Sequence, residues 1–396
     1  IDYIRTPIAK FQGGLSEVRA DDLAAIVLKE IVKRNPQIPA EEIEDVILGC
    51  ANQAGEDNRN VARMASLLAE LPIKIGGETV NRLCASGMAA IANAYRAIAI
   101  GEGDFYIAGG VEQMTRAPYV LSKSAQPFGR DVQLFDSSFG WRFVNPKMKE
   151  LYGVDGMGET AENLAEIYKI SREAQDEFAL HSQQKAATAQ NSGRLAQEIV
   201  NVEIPQKKGE PKIFSQDEFV KPDTTLDKLA KLRPAFKKEG GSVTAGNSSG
   251  LNDGAAAMIL ASEDAVKKYN LKPLAKIISS AVVGVEPRIM GIGPVEATKK
   301  ALSRANLSLE DMDIIELNEA FAAQALSVLQ ELGIDAKDER LNPNGGAIAL
   351  GHPLGMSGTR IVGTAALELQ KKNKKYALCT LCIGVGQGYA MIIEKI

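Results

Sequence analysis

The chain uses one pattern of strands and helices twice, and this internal duplication restricts its fold more than any other feature. Three segments of the first part return in the same order about 270 residues later. The matching segments are 45–51 with the residues from 313 onward, 80–87 with 341–358, and 104–113 with 376–388. Two related α/β halves therefore form most of the molecule.

Each half alternates apolar, strand-like runs with amphipathic helical periodicity. The predicted helices are 21–34 and 85–100 in the first half, and 295–305 and 357–372 in the second. Such alternation predicts mixed sheets that are sandwiched by helices. At 396 residues the chain is also long enough for two or three domains.

Residues 119–242, between the two halves, differ in character from both. They are richer in polar residues and hold one clear predicted helix, 171–191, with Ser171 as its N-cap. Residues 206–240 carry nine Lys and Arg against six Asp and Glu, a local charge of +3 in a chain of net charge -4. This stretch is either a solvated linker or an anion-binding cover for a phosphorylated ligand.

Composition excludes several classes of function. The mildly acidic net charge argues against a nucleic-acid partner, which would require a basic face. No apolar run approaches the roughly 18–20 residues that span a bilayer, so no membrane insertion is expected. Four cysteines are too few for a disulfide scaffold and suit a reducing compartment, which favours the cytoplasm. Because the chain begins at Ile1, the sequence leaves open whether a short targeting segment precedes it.

Cys84 lies in a turn of small and polar residues, directly before an alanine-rich helix. The positive end of the helix dipole and the free N–H groups there favour a thiolate. The alternative is an inert, buried packing cysteine, which is common.

His352 is one of only two histidines, and it lies in the glycine-rich segment GGAIALGHPLGMSG. It is the counterpart of Cys84 in the second half. If a pseudo-twofold axis relates the halves, the two loops meet, and an imidazole lies beside a thiol that it can activate. The other histidine, His181, falls in the middle of a predicted helix and is interpreted as a surface or packing residue.

Cys379 and Cys382 form a C-x-x-C pair, a spacing also found in zinc and redox centres. Zinc needs about four ligands and no second pair is near, so no metal is expected. We interpret Cys379 as a strand core residue and Cys382 as the exposed member, leading into GVGQG, whose N–H groups can face an oxyanion. Asn318 follows another apolar strand and is either a helix N-cap or an amide that positions a water or an oxyanion.

Together these segments resemble the thiolase family from end to end. The motifs are NRLCASG around Cys84, NEAFA from Asn318, GGAIALGHPLG around His352, CIGVGQG from Cys382, and the coenzyme A segment VTAGNSSGLNDGAAA. The resemblance implies a thiolase-like αβαβα fold with pseudo-twofold related halves. It implies an N-terminal half at 1–118 and 243–267, an inserted loop domain at 119–242 and a C-terminal half at 268–396.

The resemblance also implies roles for individual residues. Cys84 would be the acylated nucleophile, with His352 as its base and as partner of an Asn318-held water at the thioester oxygen. Cys382 would be the second acid/base, and the N–H groups of Cys84 and Gly384 a second oxyanion hole. The residues that would contact coenzyme A or the acyl chain are Ser249, Leu251, Phe236, Met157, Phe321 and Lys221. Coenzyme A would be a substrate, with no resident cofactor, and residues 119–149 resemble a loop that forms homotetramers, although a dimer stays open.

Two departures and two similarities bear on the substrate. Val385 replaces a glycine of many thiolases, and Gly156 replaces a histidine that is frequent in acetoacetyl-CoA enzymes. Residues 46–65 and 140–146 resemble 3-oxoadipyl-CoA thiolases, whose substrate ends in a free carboxylate. Arg116, Arg130 or Arg142 could bind that group. The alternative is an acetoacetyl-CoA or generic fatty 3-ketoacyl-CoA thiolase.

Three other classes compete with a thiolase. A ketoacyl synthase usually pairs its cysteine with two histidines, or with histidine and asparagine, and lacks a second catalytic cysteine. A cysteine–histidine hydrolase would need no coenzyme A. A non-catalytic acyl-CoA binder would not require two reactive thiols.

Overall fold

The computed structural model describes residues 1–396. The strands are β1 (Tyr3–Arg5), β2 (Ala9–Lys10), β3 (Ile43–Gly49), β4 (Glu78–Val80), β5 (Phe105–Gln113), β6 (Tyr119–Leu121), β7 (Leu134–Asp136), β8 (Val202–Ile204), β9 (Lys212–Phe214), β10 (Asn252–Ala261), β11 (Ala275–Gly284), β12 (Ile314–Leu317), β13 (Tyr376–Ile383) and β14 (Gln387–Lys395). The helices are α1 (Ala20–Arg34), α2 (Val61–Leu68), α3 (Ser86–Ala99), α4 (Pro146–Tyr152), α5 (Met157–Ile167), α6 (Arg172–Asn191), α7 (Leu226–Ala230), α8 (Glu263–Lys268), α9 (Gly293–Ala305), α10 (Ala322–Leu332), α11 (Ala347–Leu350) and α12 (Leu354–Lys372).

Two sheets repeat the same topology, which confirms the duplication. The first runs β1-β10-β5-β3-β4, with β2 paired to β10, and the second runs β11-β14-β13-β12. In each sheet the two long central strands are antiparallel, β10 with β5 and β14 with β13. One further strand joins each pair in parallel, β3 beside β5 and β12 beside β13.

Helices fill the space between and outside the sheets. One core packs α1 and α2 on the outer face of the first sheet, and another packs α9 and α10 on the outer face of the second. The largest core lies between the sheets and contains α3 and α12, which are buried along much of their length. The result is the expected αβαβα layering, with the starts of α3 and α12 near the middle of the molecule.

The insertion holds two small hairpins, β6–β7 and β8–β9, and the helices α4 to α7. The predicted helix is α6, and the Ser171 hydroxyl accepts the Ala174 N–H at 3.1 Å as its N-cap. In the basic stretch Asp217 is buried and forms a two-oxygen ion pair with buried Arg5, so this part is anchored rather than a free linker. The residue limits of the three domains stay predictions. No helix combines the length and apolar character that crossing a membrane requires.

Candidate active site

The loops before α3 and α12 meet at the centre of the molecule, as the duplication predicted. Contact is close because glycines lie where the two helix starts touch. A Cβ on Gly87 would lie 2.5 Å from Thr359 Oγ1 and 2.7 Å from the Gly355 carbonyl oxygen. A Cβ on Gly358 would lie 2.3 Å from the Met88 nitrogen. The sequence therefore brings the Cys84 and His352 segments together through backbone-to-backbone packing.

Cys84 lies in a short 3-10 turn, 83–85, that leads directly into α3. Its thiol is buried, and burial raises its pKa to about 11. The N–H groups of Gly384 and of Cys84 itself act in the opposite direction but do not compensate. The N–H groups therefore favour the thiolate, as expected, but desolvation exceeds their effect. At neutral pH the group is a thiol that needs a base.

His352 is held in the tautomer that such a base requires. Its Nδ1 lies 2.6 Å from the Ser357 hydroxyl, which itself donates to the Pro353 carbonyl at 2.8 Å. The hydroxyl must therefore accept from Nδ1–H, which leaves Nε2 unprotonated and able to accept a proton. Burial, with a smaller contribution from Arg360, lowers the pKa of His352 to about 3, so the ring is neutral.

Asn318 contacts His352 and is not a helix cap. Its Nδ2 lies 3.3 Å from His352 Nε2. The following helix, α10, has Phe321 at its N-cap position, so the N-cap interpretation is wrong. Both side chains are buried, and no donor of the protein reaches Asn318 Oδ1. The amide therefore presents an unused acceptor beside the imidazole.

Cys382 lies next to Cys84 but is fully buried, which corrects the expectation of an exposed thiol. β13 continues through Ile383, and Cys382 packs with Phe321, Met290 and Met157. Burial and, second, the neighbouring Cys84 raise the pKa of the Cys382 thiol, so it keeps its proton. Cys379, as predicted, is a buried core residue of the same strand.

The turn from β13 to β14 carries backbone strain beside the thiols. Val385 has a φ of 65°, a left-handed conformation that β-branched residues rarely adopt. Leu83, next to Cys84, also has a positive φ, 46°. Strain of this kind persists where the surrounding structure enforces it and is concentrated at functional sites. Here the two strained residues, Leu83 and Val385, lie on either side of the contact between the Gly384 N–H and the Cys84 thiol.

An aromatic and thioether wall continues from the thiols toward the surface. A Cβ on Gly384 would lie 3.7 Å from Met157 Sδ, which places Met157 beside the Gly384 turn. The rings of Phe236 and Phe321 meet edge to face at 6.1 Å, and the Phe236 ring covers Gly158. These predicted acyl- and coenzyme-A-lining residues therefore share one region.

The predicted coenzyme A segment borders the same wall. The Ser249 N–H donates to the Ala320 carbonyl at 2.9 Å, beside Phe321. Lys221 is exposed, with its Nζ 4.9 Å from the centre of the Phe219 ring, which itself covers Gly250. Leu251 is half-buried, and its carbonyl accepts the Phe11 N–H at 3.0 Å. His181 is half-buried in α6 and forms no hydrogen bond or ion pair, in keeping with a packing residue.

Comparison with known proteins identifies the family of this chain. The family described as "Thiolase, N-terminal domain" matches residues 1–264, and "Thiolase, C-terminal domain" matches residues 271–395. The chain belongs to the thiolase family.

Relatives of this thiolase match it along its full length. It is 60% identical to the 3-oxoadipyl-CoA/3-oxo-5,6-dehydrosuberyl-CoA thiolase of Escherichia coli, over 100% of this chain and 98% of the relative. It is 58% identical to the beta-ketoadipyl-CoA thiolase of Acinetobacter baylyi, with the same coverage. The crystal structure of the Bacillus anthracis acetyl-CoA acetyltransferase matches with a TM-score of 0.92 and 42% identity, over 100% of this chain and 98% of that one.

Glu112 is a buried residue of this thiolase site that the sequence did not reveal. Its carboxylate accepts the N–H groups of Ala51 and Asn52 at 3.0 Å and of Gly355 at 2.8 Å. Burial raises its pKa to about 7. Because Gly355 lies in the first turn of α12 and residues 51–52 follow β3, Glu112 ties the two halves together. The sequence signal for this role was an acidic residue at the end of the otherwise apolar strand β5.

Cys50 and Asp57 lie beside Glu112, and the three could be considered a metal site. Their oxygens, however, are already used. Asp57 accepts the N–H groups of Gln53 and Gly55, and the Cys50 thiol donates to it at 3.4 Å. Burial also raises the pKa of Cys50, which disfavours the thiolate that a metal needs. The donor set fits a hydrogen-bonded core cluster rather than a metal centre.

Proposed function

We propose that this thiolase cleaves 3-oxoadipyl-CoA with coenzyme A to succinyl-CoA and acetyl-CoA, or runs the reverse condensation. Support for the substrate comes from the full-length identity of 60% and 58% to enzymes named for it, against 42% to an acetyl-CoA acetyltransferase. The observation that carries the chemistry is the meeting of a buried thiol, a neutral imidazole with an unprotonated Nε2 and a second, protonated thiol.

The first half-reaction uses Cys84 as nucleophile. Its sulfur attacks carbon 3, the ketone, while His352 Nε2 takes the proton. Since thiol and imidazole both rest neutral, the thiolate forms as attack proceeds and is not stored. The oxyanion on carbon 3 receives the N–H groups of Cys84 and Gly384. The bond between carbons 2 and 3 then breaks, leaving a succinyl thioester on Cys84 and an acetyl-CoA enolate.

Cys382 is the proton donor to that enolate, because its thiol is protonated and lies next to Cys84. The enolate carries its charge on the thioester oxygen. Protonated His352 and a water positioned by Asn318 stabilise that oxygen. In the second half-reaction the Cys382 thiolate takes the proton of coenzyme A. The coenzyme sulfur then attacks the succinyl thioester and releases Cys84, whose proton returns from His352.

Coenzyme A acts as substrate in this scheme, and no resident cofactor takes part. Ser249 contacts its pantetheine arm, Phe236, Phe321 and Met157 line the tunnel, and Lys221 with its basic neighbours faces the nucleotide end. Leu251 belongs to the same segment as Ser249. We also propose the domain limits given above, a homo-oligomer that uses residues 119–149, and a cytoplasmic location that suits four unpaired cysteines.

A comparison of thiolysis rates tests the substrate. The ratio kcat/KM is measured for 3-oxoadipyl-CoA, 3-oxohexanoyl-CoA and acetoacetyl-CoA. We expect 3-oxoadipyl-CoA to be preferred, and Cys84→Ala to abolish turnover of all three. Equal ratios would favour a generic 3-ketoacyl-CoA thiolase. Carbon dioxide released from a malonyl thioester would instead indicate a ketoacyl synthase, and acyl release without coenzyme A a hydrolase.

A further inference from the structure

The substrate assigned above carries a negative charge at the end of its acyl chain, and the inference made here rests on that assignment. Three carbon–carbon bonds separate the ketone carbon, which Cys84 attacks, from the terminal carboxylate. A cation that binds this carboxylate must therefore border the Cys84 site. It must also have free donors, since a guanidinium already paired with a carboxylate gains little from a second one.

Three other arginines suit this role less well. Arg116 forms a two-point ion pair with Glu56, at 2.8 and 2.5 Å. Arg130 is exposed in the loop between β6 and β7, and no hydrogen bond or ion pair connects it to the residues around Cys84. Arg82 lies close to Cys84 and is paired with no carboxylate, but its guanidinium is held against β14, where it donates to Gln387 at 3.1 Å and lies over the Tyr389 ring.

Arg142 meets the condition of free donors. Its side chain is half-buried and contacts only three oxygens, each at 3.4 Å: the Ser137 carbonyl and the carbonyl and side-chain oxygens of Asn52. None of these oxygens is charged, and no carboxylate of the protein lies within ion-pair distance. A guanidinium has five N–H donors in a planar fork that matches a carboxylate.

Contacts on both sides place Arg142 at the border of the site. On one side is Asn52, whose neighbour Ala51 accepts the Asn81 side-chain amide at 3.0 Å. Asn81 in turn accepts the Leu83 N–H at 2.9 Å, directly before Cys84. On the other side Trp141 donates to the Asp155 carbonyl at 3.2 Å, two residues before Met157.

We propose that Arg142 binds the terminal carboxylate of the acyl chain and so determines the preference for a dicarboxylic 3-ketoacyl-CoA. Segment 141–142 lies between the strand-end loop of Asn52 and the start of α5, and Met157 at that start adjoins the Gly384 turn. In this proposal the tail extends from the ketone past Met157 toward the guanidinium. The long contacts to Asn52 and Ser137 hold the fork in place and leave donors for the substrate.

The test compares Arg142→Gln with the wild type on 3-oxoadipyl-CoA and on 3-oxohexanoyl-CoA, which has the same chain length but no carboxylate. Loss of a charge-assisted pair should lower kcat/KM for 3-oxoadipyl-CoA by about 10- to 100-fold more than for 3-oxohexanoyl-CoA. Arg142→Lys, which keeps the charge, should recover part of this loss. Arg130→Gln is the matched control and should retain the wild-type ratio.

Product inhibition gives a second measurement that does not depend on turnover of the charged substrate. With 3-oxohexanoyl-CoA as substrate, succinyl-CoA should inhibit Arg142→Gln more weakly than the wild type, and butyryl-CoA equally. Similar losses on both substrates, or an unchanged ratio, would overturn the role of Arg142 while leaving the substrate assignment intact. A wild-type enzyme with no preference between the two substrates would instead refute the assignment, and with it this role.

Discussion

Gly87→Ala should disable the enzyme although residue 87 touches no substrate. Its Cβ would lie 2.7 Å from the Gly355 carbonyl oxygen and 2.9 Å from the Thr359 nitrogen, both backbone atoms of the first two turns of α12. To restore ordinary contact, the starts of α3 and α12 must separate by about 0.7 Å. That movement carries the Cys84 turn away from His352, because Cys84 lies two residues before α3 and His352 two residues before α12.

This displacement affects both the free energy of unfolding and the reaction rate. Overpacking of a close contact lowers the free energy of unfolding by about 1–3 kcal/mol. A misplacement approaching 1 Å between reacting groups reduces the rate by about 100-fold. Denaturant unfolding measures the first, and kcat/KM for thiolysis measures the second.

Gly284→Ala is the matched control for this substitution, because its Cβ would meet nothing closer than 3.9 Å. It should keep wild-type stability and turnover. If Gly87→Ala also keeps turnover within twofold of the wild type, the two loops do not have to be held at this distance. The account of how the duplication builds the site would then be refuted.

Four further predictions concern individual groups. Asn318→Ala removes the amide at His352 Nε2 and should lower kcat by about 100-fold, and an unchanged kcat would argue against its role. Cys382→Ser should lower turnover by about 10²- to 10⁴-fold and leave Cys84 open to alkylation by iodoacetamide, so loss of both would indicate a disturbed fold. Because the pKa of Cys84 is raised to about 11, alkylation without substrate should accelerate about tenfold per pH unit from pH 7 to 10, and a plateau below pH 8 would contradict this. Val385→Gly relieves a left-handed valine and should raise the free energy of unfolding by about 1 kcal/mol, as denaturant titration would show.

The parts of the site that follow local sequence rules could be predicted. Repetition of the strand and helix pattern identified β3 and β12, and β5 and β13, as counterparts in the two halves, and it placed Cys84 and His352 in equivalent loops. Helix periodicity located α3 and α12 to within three residues at their starts. These features depend on neighbours in sequence or on a symmetry that is visible in it.

Other parts depend on contacts between distant segments. The burial of Cys382 comes from Met157 in the insertion and Phe321 in the second half, so a strand-end position alone suggested exposure. The pKa of Cys84 depends on how completely the surrounding layers exclude water, which outweighs the local effect of the helix start. Asn318 could not be distinguished from an N-cap until the start of α10 was known. Glu112 acquires its role from backbone groups more than 50 residues before it and more than 200 after it.

Mass analysis of the acyl-enzyme tests the central claim most directly. Enzyme mixed with 3-oxoadipyl-CoA in the absence of added coenzyme A is quenched, digested and searched for modified cysteines. We predict a succinyl group on the peptide that contains Cys84, release of acetyl-CoA in equal amount, and loss of the modification when coenzyme A is added. A succinyl group on Cys382, or acetyl-CoA formation with no modified cysteine, would contradict the account.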